Sequence, residues 1–434
     1  MPRTFWVETL GCPKNQVDSD KLTGTVLAEG MVPAVAPDEA DLVVVNTCAF
    51  IEDARQESID TILTLGDNRR DGARLVVTGC MAERYNSELQ EALVAEGALL
   101  PDDRVAGFGV PVTIGPRPAR DLPAFDLLRL PRPRAAAPWA YVKIAEGCDR
   151  NCGFCAIPSF RGPQRSRTID DILAEVDALR AREIVLVAQD LASFGRDQGR
   201  GERQLVPLVH AVAERVDRVR LLYLYPSDLT DELISTVLES GVPYFDLSLQ
   251  HVSKPLMRRM RRWGDGERFL DRISDIRAAQ PHAAFRSNFI VGYPGETEAD
   301  HDHLLAFVKA ARLDWCGFFS YSEEPGTHGA TLDGKVPAGL VAERLAELRE
   351  LQDGITAAKR DELIGSSVEV LVDAPEQARG FREAPEIDGI VSVPADLPVG
   401  ALLTVEIVDA RGPDLVARSP EPAARPDAAE VLAG

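Results

Sequence analysis

The sequence predicts an α/β protein in three parts, and three patterns along its 434 residues indicate this architecture. Up to about residue 115, short apolar runs alternate with amphipathic stretches, as in parallel βαβ units. From Trp139 onward, six apolar runs separated by helical stretches predict a partial (βα)6 barrel. After residue 363, short β-like runs separated by Gly and Pro predict a small all-β barrel of five strands.

The N-terminal part, residues 1–115, is predicted to form a parallel α/β domain. Its strand candidates are TFWVETL, DLVVVN and RLVVTG, since each is apolar and bounded by polar or turn residues. The amphipathic stretches between and after them predict helices over about 18–29, 52–65 and 88–96.

Each of these three strands is followed almost at once by a cysteine, namely Cys12, Cys48 and Cys80. Parallel strands end at one edge of a sheet, where open α/β sheets bind their ligands, so we expect the three thiols to converge. Free cysteines are also common as small buried residues. Three at equivalent positions of consecutive strands instead indicate an iron–sulfur cluster held by three thiolates, with Gly11 and Gly79 allowing close approach of the backbone.

A proline-dense segment, 116–138, is predicted to be a linker, because proline blocks regular helix and ladder hydrogen bonds. The barrel domain is predicted to span 139–363 and to end in a helix over about 337–363. The remaining residues, 364–434, form the predicted C-terminal module. The six barrel strand candidates are YVKI, EIVLVAQ, RLLYLY, YFDLSLQ, AFRSNFIVG and WCGFFSY.

The first barrel strand leads into Cys148, Cys152 and Cys155, spaced C-x3-C-x2-C in the run AEGCDRNCGFCAIP. A four-iron four-sulfur cluster held by three thiolates keeps one iron open to a non-protein ligand, which is what S-adenosylmethionine requires. The alternative is structural zinc, which needs four ligands. The nearest downstream histidine is His210, and no second close-set cysteine pair follows.

The ends of the other predicted barrel strands supply further candidates, because parallel α/β barrels carry their chemistry at this rim. The run Met257–Trp263 holds four arginines, which we expect to form mainly a solvated face, with Arg258 and Arg261 as ligand-binding candidates. Cys316 belongs to neither cysteine group and is expected in the core. The cofactor-binding candidates at the rim are Gln189, Gln250, His251, Gly292 and Gly295.

The composition limits the cellular context and the partners. No stretch approaches the ~20 apolar residues that span a bilayer, and the N-terminal residues lack the pattern of a signal peptide, so we expect a cytoplasmic protein with no membrane partner. The formal net charge of −21 argues against broad nucleic-acid binding and favours a basic partner. Residues 364–434 contain 13 acidic residues and 5 arginines without lysine, a net charge of −8, and their only aromatic residue is Phe381.

Both cysteine groups, with the Phe154 that precedes Cys155, resemble the radical S-adenosylmethionine methylthiotransferases. The stretch ETLGCPKNQVDS is close to the branch that modifies a ribosomal protein, whereas the transfer-RNA branch tends to carry GCQMN. The resemblance covers essentially the whole chain. It implies a radical SAM domain at 139–363, a TRAM domain at 364–434, and an auxiliary cluster on Cys12, Cys48 and Cys80.

The resemblance also implies the reaction, in which a methylthio group is added to the β-carbon of an aspartate in the small-subunit ribosomal protein S-twelve. The cofactors would be two 4Fe-4S clusters and S-adenosyl-L-methionine, whose cleavage at Cys148, Cys152 and Cys155 yields a 5'-deoxyadenosyl radical that abstracts hydrogen. Sulfur would come from the auxiliary cluster, and a second S-adenosylmethionine would supply the methyl group. A low-potential electron donor and a sulfur donor would act as partners.

Two other functions remain open on the sequence. One is a transfer-RNA adenosine methylthiotransferase with the same chemistry. The other is a non-catalytic iron–sulfur binding protein.

Overall fold

The computed structural model describes residues 3–108 and 126–419. The N-terminal domain is a five-stranded sheet in the order β2-β1-β3-β4-β5, and every neighbouring pair is parallel. The three predicted strands are β1, β3 and β4. The elements are β1 (Thr4–Thr9), α1 (Pro13–Ala28), β2 (Val32–Pro33), β3 (Leu42–Thr47), α2 (Glu52–Asn68), β4 (Arg74–Gly79), α3 (Cys80–Ala95) and β5 (Arg104–Val105).

Two helices of this domain begin earlier than predicted. α1 begins at Pro13, because proline fits the first helical position, where its missing N–H costs nothing. α3 begins at Cys80, after Gly79 turns the chain with φ +92°. Asn86 then interrupts the helical backbone of α3 with φ 32°. The helical period of the sequence is therefore broken there, and the sequence predicts only the second half of α3. The strands β2 and β5 have only two residues each, too few for a sequence pattern.

The central domain contains all six predicted parallel strands. They form two three-stranded sheets, β10-β9-β6 and β11-β12-β13, joined by a parallel bridge between Leu224 and Leu247. Two further short strands, β7 and β8, form a separate antiparallel pair. The strands of the domain are β6 (Trp139–Lys143), β7 (Ala145–Glu146), β8 (Arg165–Ser166), β9 (Glu183–Val187), β10 (Arg218–Leu221), β11 (Tyr244–Gln250), β12 (Ala284–Val291) and β13 (Trp315–Ser320).

Helices cover the outer face of this partial barrel. Along β9, Ile184 and Leu186 pack outward against the helices, whereas Val185 and Val187 face the inner core. This alternation is the period of two that a strand imposes. The helices are α4 (Ile157–Arg161), α5 (Ile169–Leu179), α6 (Leu205–Ala213), α7 (Asp231–Glu239), α8 (Lys254–Arg259), α9 (Gly266–Ala279), α10 (Glu298–Ala311) and α11 (Ala338–Asp361).

The C-terminal module is a closed five-stranded barrel in the order β14-β15-β16-β18-β17, as the sequence predicts. The α/β class with a partial central barrel and a small all-β barrel is thereby confirmed. The strands of the C-terminal module are β14 (Ser367–Ala374), β15 (Gln377–Arg379), β16 (Val391–Ser392), β17 (Leu402–Arg411) and β18 (Asp414–Arg418).

The segment 381–388 of this module packs against the inner face of the central barrel. The hydroxyl of Tyr141 donates to the carbonyl of Pro385 at 2.7 Å, and that of Tyr244 donates to the carboxylate of Asp388 at 2.6 Å. Phe381, Ala384 and Ile387 complete the apolar cluster there. The module is thus built into the fold rather than attached to it.

A fully buried carboxylate fixes the same interface. Glu183, at the start of β9, accepts from Arg220 at 2.7 Å and from Arg379 of the C-terminal module at 3.2 Å. Burial alone would raise the pKa of Glu183, but the charges of the two guanidinium groups outweigh it and lower the pKa to about 2. Glu183 is therefore ionised and paired at neutral pH.

The N-terminal domain contacts the end of the central barrel through Glu324, which accepts from Arg55 at 2.7 Å and Arg84 at 2.6 Å. The described part of the predicted linker, 126–138, packs on α1, where a Cβ on Gly24 would lie 2.5 Å from the Pro131 carbonyl oxygen. The linker's residues 116–125 lie outside the described residues, and the predicted domain boundaries stay predictions. Within residues 3–108 and 126–419, no helix is both long and apolar enough to cross a membrane.

Replacing Glu183 with Gln tests the domain interface. We expect Glu183→Gln to destabilise the folded protein by about 3–5 kcal/mol at pH 7, because two buried arginines lose their charged partner. The low pKa of Glu183 makes its contribution complete above its ordinary value of 4.5 and lost as the pH falls towards 2. The difference between wild type and variant, measured as the thermal unfolding midpoint, should therefore shrink over that range.

The matched control is Glu369→Gln in the same interface. Glu369 pairs with Arg218 at 3.1 Å, but its side chain is 57% exposed, so we expect a loss of about 0–1 kcal/mol. Equal losses for the two variants would show that the Glu183 pairs do not hold the interface.

Candidate functional site

The central cysteines lie in a loop at the carboxyl end of the first barrel strand. Cys148, Cys152 and Cys155 follow β6 and β7, and the chain returns through α4 to β8, which pairs antiparallel with β7. The closure of this loop requires glycine at one position. Gly147 has φ +80°, and an added Cβ would lie 2.2 Å from the carbonyl oxygen of Pro163.

Cys148 of this loop is buried, Cys152 and Cys155 are half-buried, and the three thiols are close enough to influence one another. Burial raises the pKa of Cys148 to about 11 and that of Cys155 to about 12, and the neighbouring Cys152 sulfur adds to both effects. Both groups therefore hold their protons at neutral pH in the metal-free protein. Because thiolates are the metal-binding form, loading this loop with metal would release protons.

Two arginines and a tyrosine pack against this loop. Arg150, between the first two cysteines, forms an ion pair with Asp190 at 2.6 Å. The ring of Tyr225 lies between the guanidinium groups of Arg150 and Arg262, each 3.8 Å from its centroid. Arg262 also donates to Cys152 Sγ at 3.4 Å. These contacts fix the orientation of the loop and place positive charge beside a thiol.

Arg262 belongs to the arginine run for which the sequence predicts a solvated face. The two candidates in that run, Arg258 and Arg261, are exposed. Arg262 is instead buried, and Arg259 donates to the carbonyl of Pro294 at 2.7 Å. Arg261 reverses the chain with φ 55° after α8, which turns its neighbour inward. The sequence contains no local signal that separates these arginines.

The structure brings the three N-terminal cysteines together at the carboxyl edge of the sheet. An added Cβ on Gly11 would lie 2.7 Å from Cys48 Cβ and 2.8 Å from its Sγ, so the chain beside Cys12 lies against the Cys48 side chain. Cys80 Sγ lies 3.6 Å from the side-chain oxygen of Asn15, whose amide donates to the carbonyl that precedes Cys48. Gly11, which precedes Cys12, therefore has no room for a side chain.

The surroundings of these thiols differ in charge. Burial, followed by the charges of its two partner thiols, raises the pKa of Cys48 to about 12. Burial also raises the pKa of Cys80. For Cys12, burial acts in the same direction, but the nearby charges of Lys14 and Arg161 outweigh it and lower the pKa. The pKa of Cys12 is therefore shifted in the opposite direction to those of its two partner thiols.

Each thiolate ligand of a four-iron cluster binds a different iron. The ligands therefore surround the cluster and do not converge on a single metal ion. The chemistry of both thiol groups, three sulfurs each, fits such a core. Among residues 3–108 and 126–419, no three His, Cys, Asp or Glu side chains are grouped to hold one shared metal ion.

Four buried charged side chains, which we call the charge network, lie between the N-terminal cysteines and the strand end that leads into the central cysteine loop: Asp18, Lys143, Glu146 and Arg161. Lys143 pairs with Asp18 and, at 2.7 Å, with Glu146. Arg161 pairs with Glu146 at 2.9 Å and donates to Cys80 Sγ at 2.9 Å. Burial alone would raise the pKa of Glu146, but Arg161 and Lys143 outweigh it and lower the pKa.

Three of the predicted cofactor contacts lie at the barrel rim with different surroundings. Gln189 donates to Glu146 at 2.7 Å and so joins the charge network. Gln250 ends β11 with φ 72°. His251 is fully buried, its Nδ1 accepts from the N–H of Ser253 at 3.1 Å, and burial lowers its pKa to about 3. It is therefore neutral at pH 7. The cofactor contacts of all three stay predictions.

The glycine turn after β12 does not leave its N–H groups free. The N–H of Gly292 donates to the carboxylate of Glu296 at 2.6 Å, and that of Gly295 donates to the carbonyl of Gly334 at 2.7 Å. These two amides therefore have protein acceptors and are not free to receive a ligand's polar atoms in this arrangement. Both glycines line the rim, and their contact with the cofactor stays a prediction.

Lys14, two residues after Cys12, lies near the N-terminal thiols, and the sequence alone gives it no functional role. Its Nζ lies 3.5 Å from the ring centroid of Tyr223, which follows β10 with φ 67°. No carboxylate pairs with Lys14 in the part of the chain that the structure describes. An unpaired, half-buried ammonium thus lies between the N-terminal thiols and the barrel.

Three family models match the chain. The model described as Uncharacterized protein family UPF0004 matches residues 4–99, that of the Radical SAM superfamily matches 142–308, and that of the TRAM domain matches 364–419. The first contains all three N-terminal cysteines, and the second contains the C-x3-C-x2-C loop.

Curated relatives match the chain over nearly its full length. "Ribosomal protein uS12 methylthiotransferase RimO" of Moorella thermoacetica is 43% identical over 92% of this chain and 95% of its own. The proteins of the same description from Streptomyces coelicolor and Aquifex aeolicus are 39% and 38% identical, covering 96% of this chain and 96% and 97% of their own.

Solved structures show the fold. The radical S-adenosylmethionine methyltransferase TsrM from Kitasatospora setae, with tryptophan substrate and a SAM analogue bound, aligns over 82% of this chain and 89% of its own with a TM-score of 0.51 and 13% identity. Its structure with cobalamin and a [4Fe-4S] cluster aligns over 76% and 74% with a TM-score of 0.50 and 14% identity.

A glycine-to-alanine pair tests the packing of the N-terminal thiols. Gly11→Ala places a methyl group on the Cys48 side chain, at a position with φ +96°. We expect a backbone cost of about 1–2 kcal/mol and an overpacking cost of about 1–3 kcal/mol. The measurement is the thermal unfolding midpoint of the metal-free protein.

Gly72→Ala supplies the matched control, since Gly72 has φ +79° and open space around it. It should show the backbone cost alone. A Gly11→Ala midpoint equal to that of Gly72→Ala would contradict the contact between Gly11 and Cys48.

Proposed function

Because this chain belongs to the RimO family of radical SAM methylthiotransferases, we propose that it adds a methylthio group to the β-carbon of an aspartate in ribosomal protein uS12. The observation that carries the proposal is that one molecule holds two groups of three thiols, with a buried charge network that extends from Cys80 to the strand end before the central loop. Relatives that share 38–43% identity over almost the whole chain carry the uS12 methylthiotransferase description.

The loop of Cys148, Cys152 and Cys155 would hold the cluster that binds S-adenosyl-L-methionine. When both are bound, the cluster and S-adenosyl-L-methionine supply a radical able to remove a hydrogen atom from an unactivated carbon. Acid–base chemistry cannot do this at neutral pH. The protein's contribution is to hold the loop. Arg150 and Arg262 pack on the ring of Tyr225 beside the loop.

The group of Cys12, Cys48 and Cys80 would hold the second cluster, which the family relationship implies as the source of sulfur. Three thiolates leave one of its irons without a protein ligand. The proposal also requires a low-potential electron donor, a sulfur donor and a second S-adenosylmethionine for the methyl group. The cytoplasm is the proposed place of action, because the substrate is a ribosomal protein.

A protein substrate is favoured over transfer RNA by charge. The chain has a formal net charge of −21, which would repel the phosphates of RNA and attract a basic ribosomal protein. The C-terminal module offers a single aromatic side chain, Phe381, and this residue packs on the barrel interior. This module therefore offers almost no aromatic surface on which RNA bases could stack.

The reaction itself is tested by incubating the anaerobically loaded enzyme with S-adenosylmethionine, a strong reductant and either uS12 or transfer RNA. We expect mass spectrometry to find one methylthio group on an aspartate of uS12 and none on the RNA. Modification of the RNA alone would assign the chain to the transfer-RNA reaction. Absence of 5'-deoxyadenosine would leave only an iron–sulfur binding protein.

Single cysteine variants should separate the two sites. Cys148→Ala removes a ligand of the proposed S-adenosylmethionine site, so 5'-deoxyadenosine and product should both be lost. Cys48→Ala should retain 5'-deoxyadenosine formation but lose methylthiolation. Cys316→Ala, in neither group, should retain both. Loss of 5'-deoxyadenosine in Cys48→Ala with an intact central cluster would contradict this division of roles.

Lys14→Met tests whether the unpaired ammonium receives the substrate carboxylate. A charged hydrogen bond contributes about 1.5–3 kcal/mol, which corresponds to roughly a ten- to hundredfold higher KM for a uS12 peptide. Lys254→Met removes an exposed lysine and should leave KM unchanged. An unchanged KM in Lys14→Met, with iron content equal to wild type, would exclude this contact.

A further inference from the structure

One arginine of the central domain reaches a cysteine of the N-terminal domain. Arg161 is the last residue of α4, six positions after Cys155, and its side chain is 3% exposed. Its guanidinium donates to Cys80 Sγ at 2.9 Å across a separation of 81 residues. The segment that carries the central cysteines thus also supplies a hydrogen bond to the other cysteine group.

The position of this guanidinium is fixed on every side. Its remaining N–H groups donate to Glu146 at 2.9 Å, to Asp18 at 3.3 Å and to the side-chain oxygen of Asn15 at 2.8 Å. The ring of Phe108 covers its face at 4.2 Å. An arginine held by four polar partners and an aromatic ring has no freedom to turn away from Cys80.

The charges of the network balance. Arg161 and Lys143 are positive, and Asp18 and Glu146 are negative, so this buried group is neutral as a whole. Removing either cation would leave one uncompensated negative charge beside the thiols. Within the charge network, Arg161 alone donates an N–H to a sulfur, whereas Lys143 donates to the two carboxylates.

We infer that Arg161 is a positioning residue of the N-terminal cysteine site, whose hydrogen bond to Cys80 raises the reduction potential of the cluster proposed there. The inference rests on the proposed function. Hydrogen bonds to cluster sulfurs and nearby positive charge favour the reduced, more negative state. An auxiliary cluster of higher potential would be reduced more readily.

The link also relates the two sites to one another. Glu146 precedes the central cysteine loop by two residues, accepts from Arg161, and accepts from Gln189 at the barrel rim at 2.7 Å. A continuous chain of hydrogen bonds therefore runs from the rim to Cys80. Buried hydrogen bonds and ion pairs thus extend from the N-terminal cysteine group to the barrel rim.

The test isolates the N-terminal cluster in a Cys148→Ala/Cys152→Ala/Cys155→Ala background of the full-length chain. In this background we compare Arg161→Met with Lys143→Met, which removes the same charge from the same network without removing a hydrogen bond to sulfur. The readout is the midpoint potential in a redox titration followed by electron paramagnetic resonance. Arg161→Gln, which keeps polarity and approximate length, serves where Arg161→Met does not fold.

We expect Arg161→Met to shift the midpoint to more negative potential than Lys143→Met does, and Arg161→Gln to shift it in the same direction. Equal midpoints for Arg161→Met and Lys143→Met would reduce the effect to charge alone and overturn the inference, as would an unshifted Arg161→Gln. Clusters that load normally with unshifted potentials leave the proposed reaction intact. A background protein that binds no iron would overturn both this inference and the two-cluster proposal.

Discussion

The structure depends on one buried constraint, the pairing of Asp18, Lys143, Glu146 and Arg161 where the N-terminal sheet meets the central barrel. Charges removed from water are tolerated only when they are paired and hydrogen-bonded, so these four side chains fix how the two domains meet. Two parallel sheets consequently bring their cysteine-bearing carboxyl edges together. The reaction that we propose requires this arrangement, because sulfur has to reach a carbon from which hydrogen was removed at the other site.

The C-terminal module completes the same frame from the opposite side. Its segment 381–388 fills the inner face of the barrel, and Arg379 reaches Glu183 at the start of β9. A partial barrel of six strands leaves its interior open at the seam. The module therefore serves as part of the barrel's core, and its net negative charge in sequence is consistent with the basic protein substrate that we propose.

Local sequence patterns were sufficient for the longer strands of the two α/β domains and for the placement of cysteines directly after them. Apolar runs bounded by turn residues are set by the chain itself, and Cys12, Cys48 and Cys80 follow such runs directly. The contacts of Arg161 and Lys143 could not be predicted in this way, since their partners lie 81 and 125 residues away. The same holds for Arg262, whose burial depends on the left-handed turn at Arg261, and for Gly292 and Gly295, whose amides bond to protein acceptors.

We propose that two separate groups of three thiols each hold a cluster in this protein. The most direct measurement is the iron and sulfide content of anaerobically reconstituted protein, compared among wild type and two variants, each with one group of three cysteines replaced by alanine. The account predicts roughly eight irons per chain in wild type and roughly four in either variant. A wild-type content of about four irons, or a complete loss of iron when one group is replaced, would contradict it.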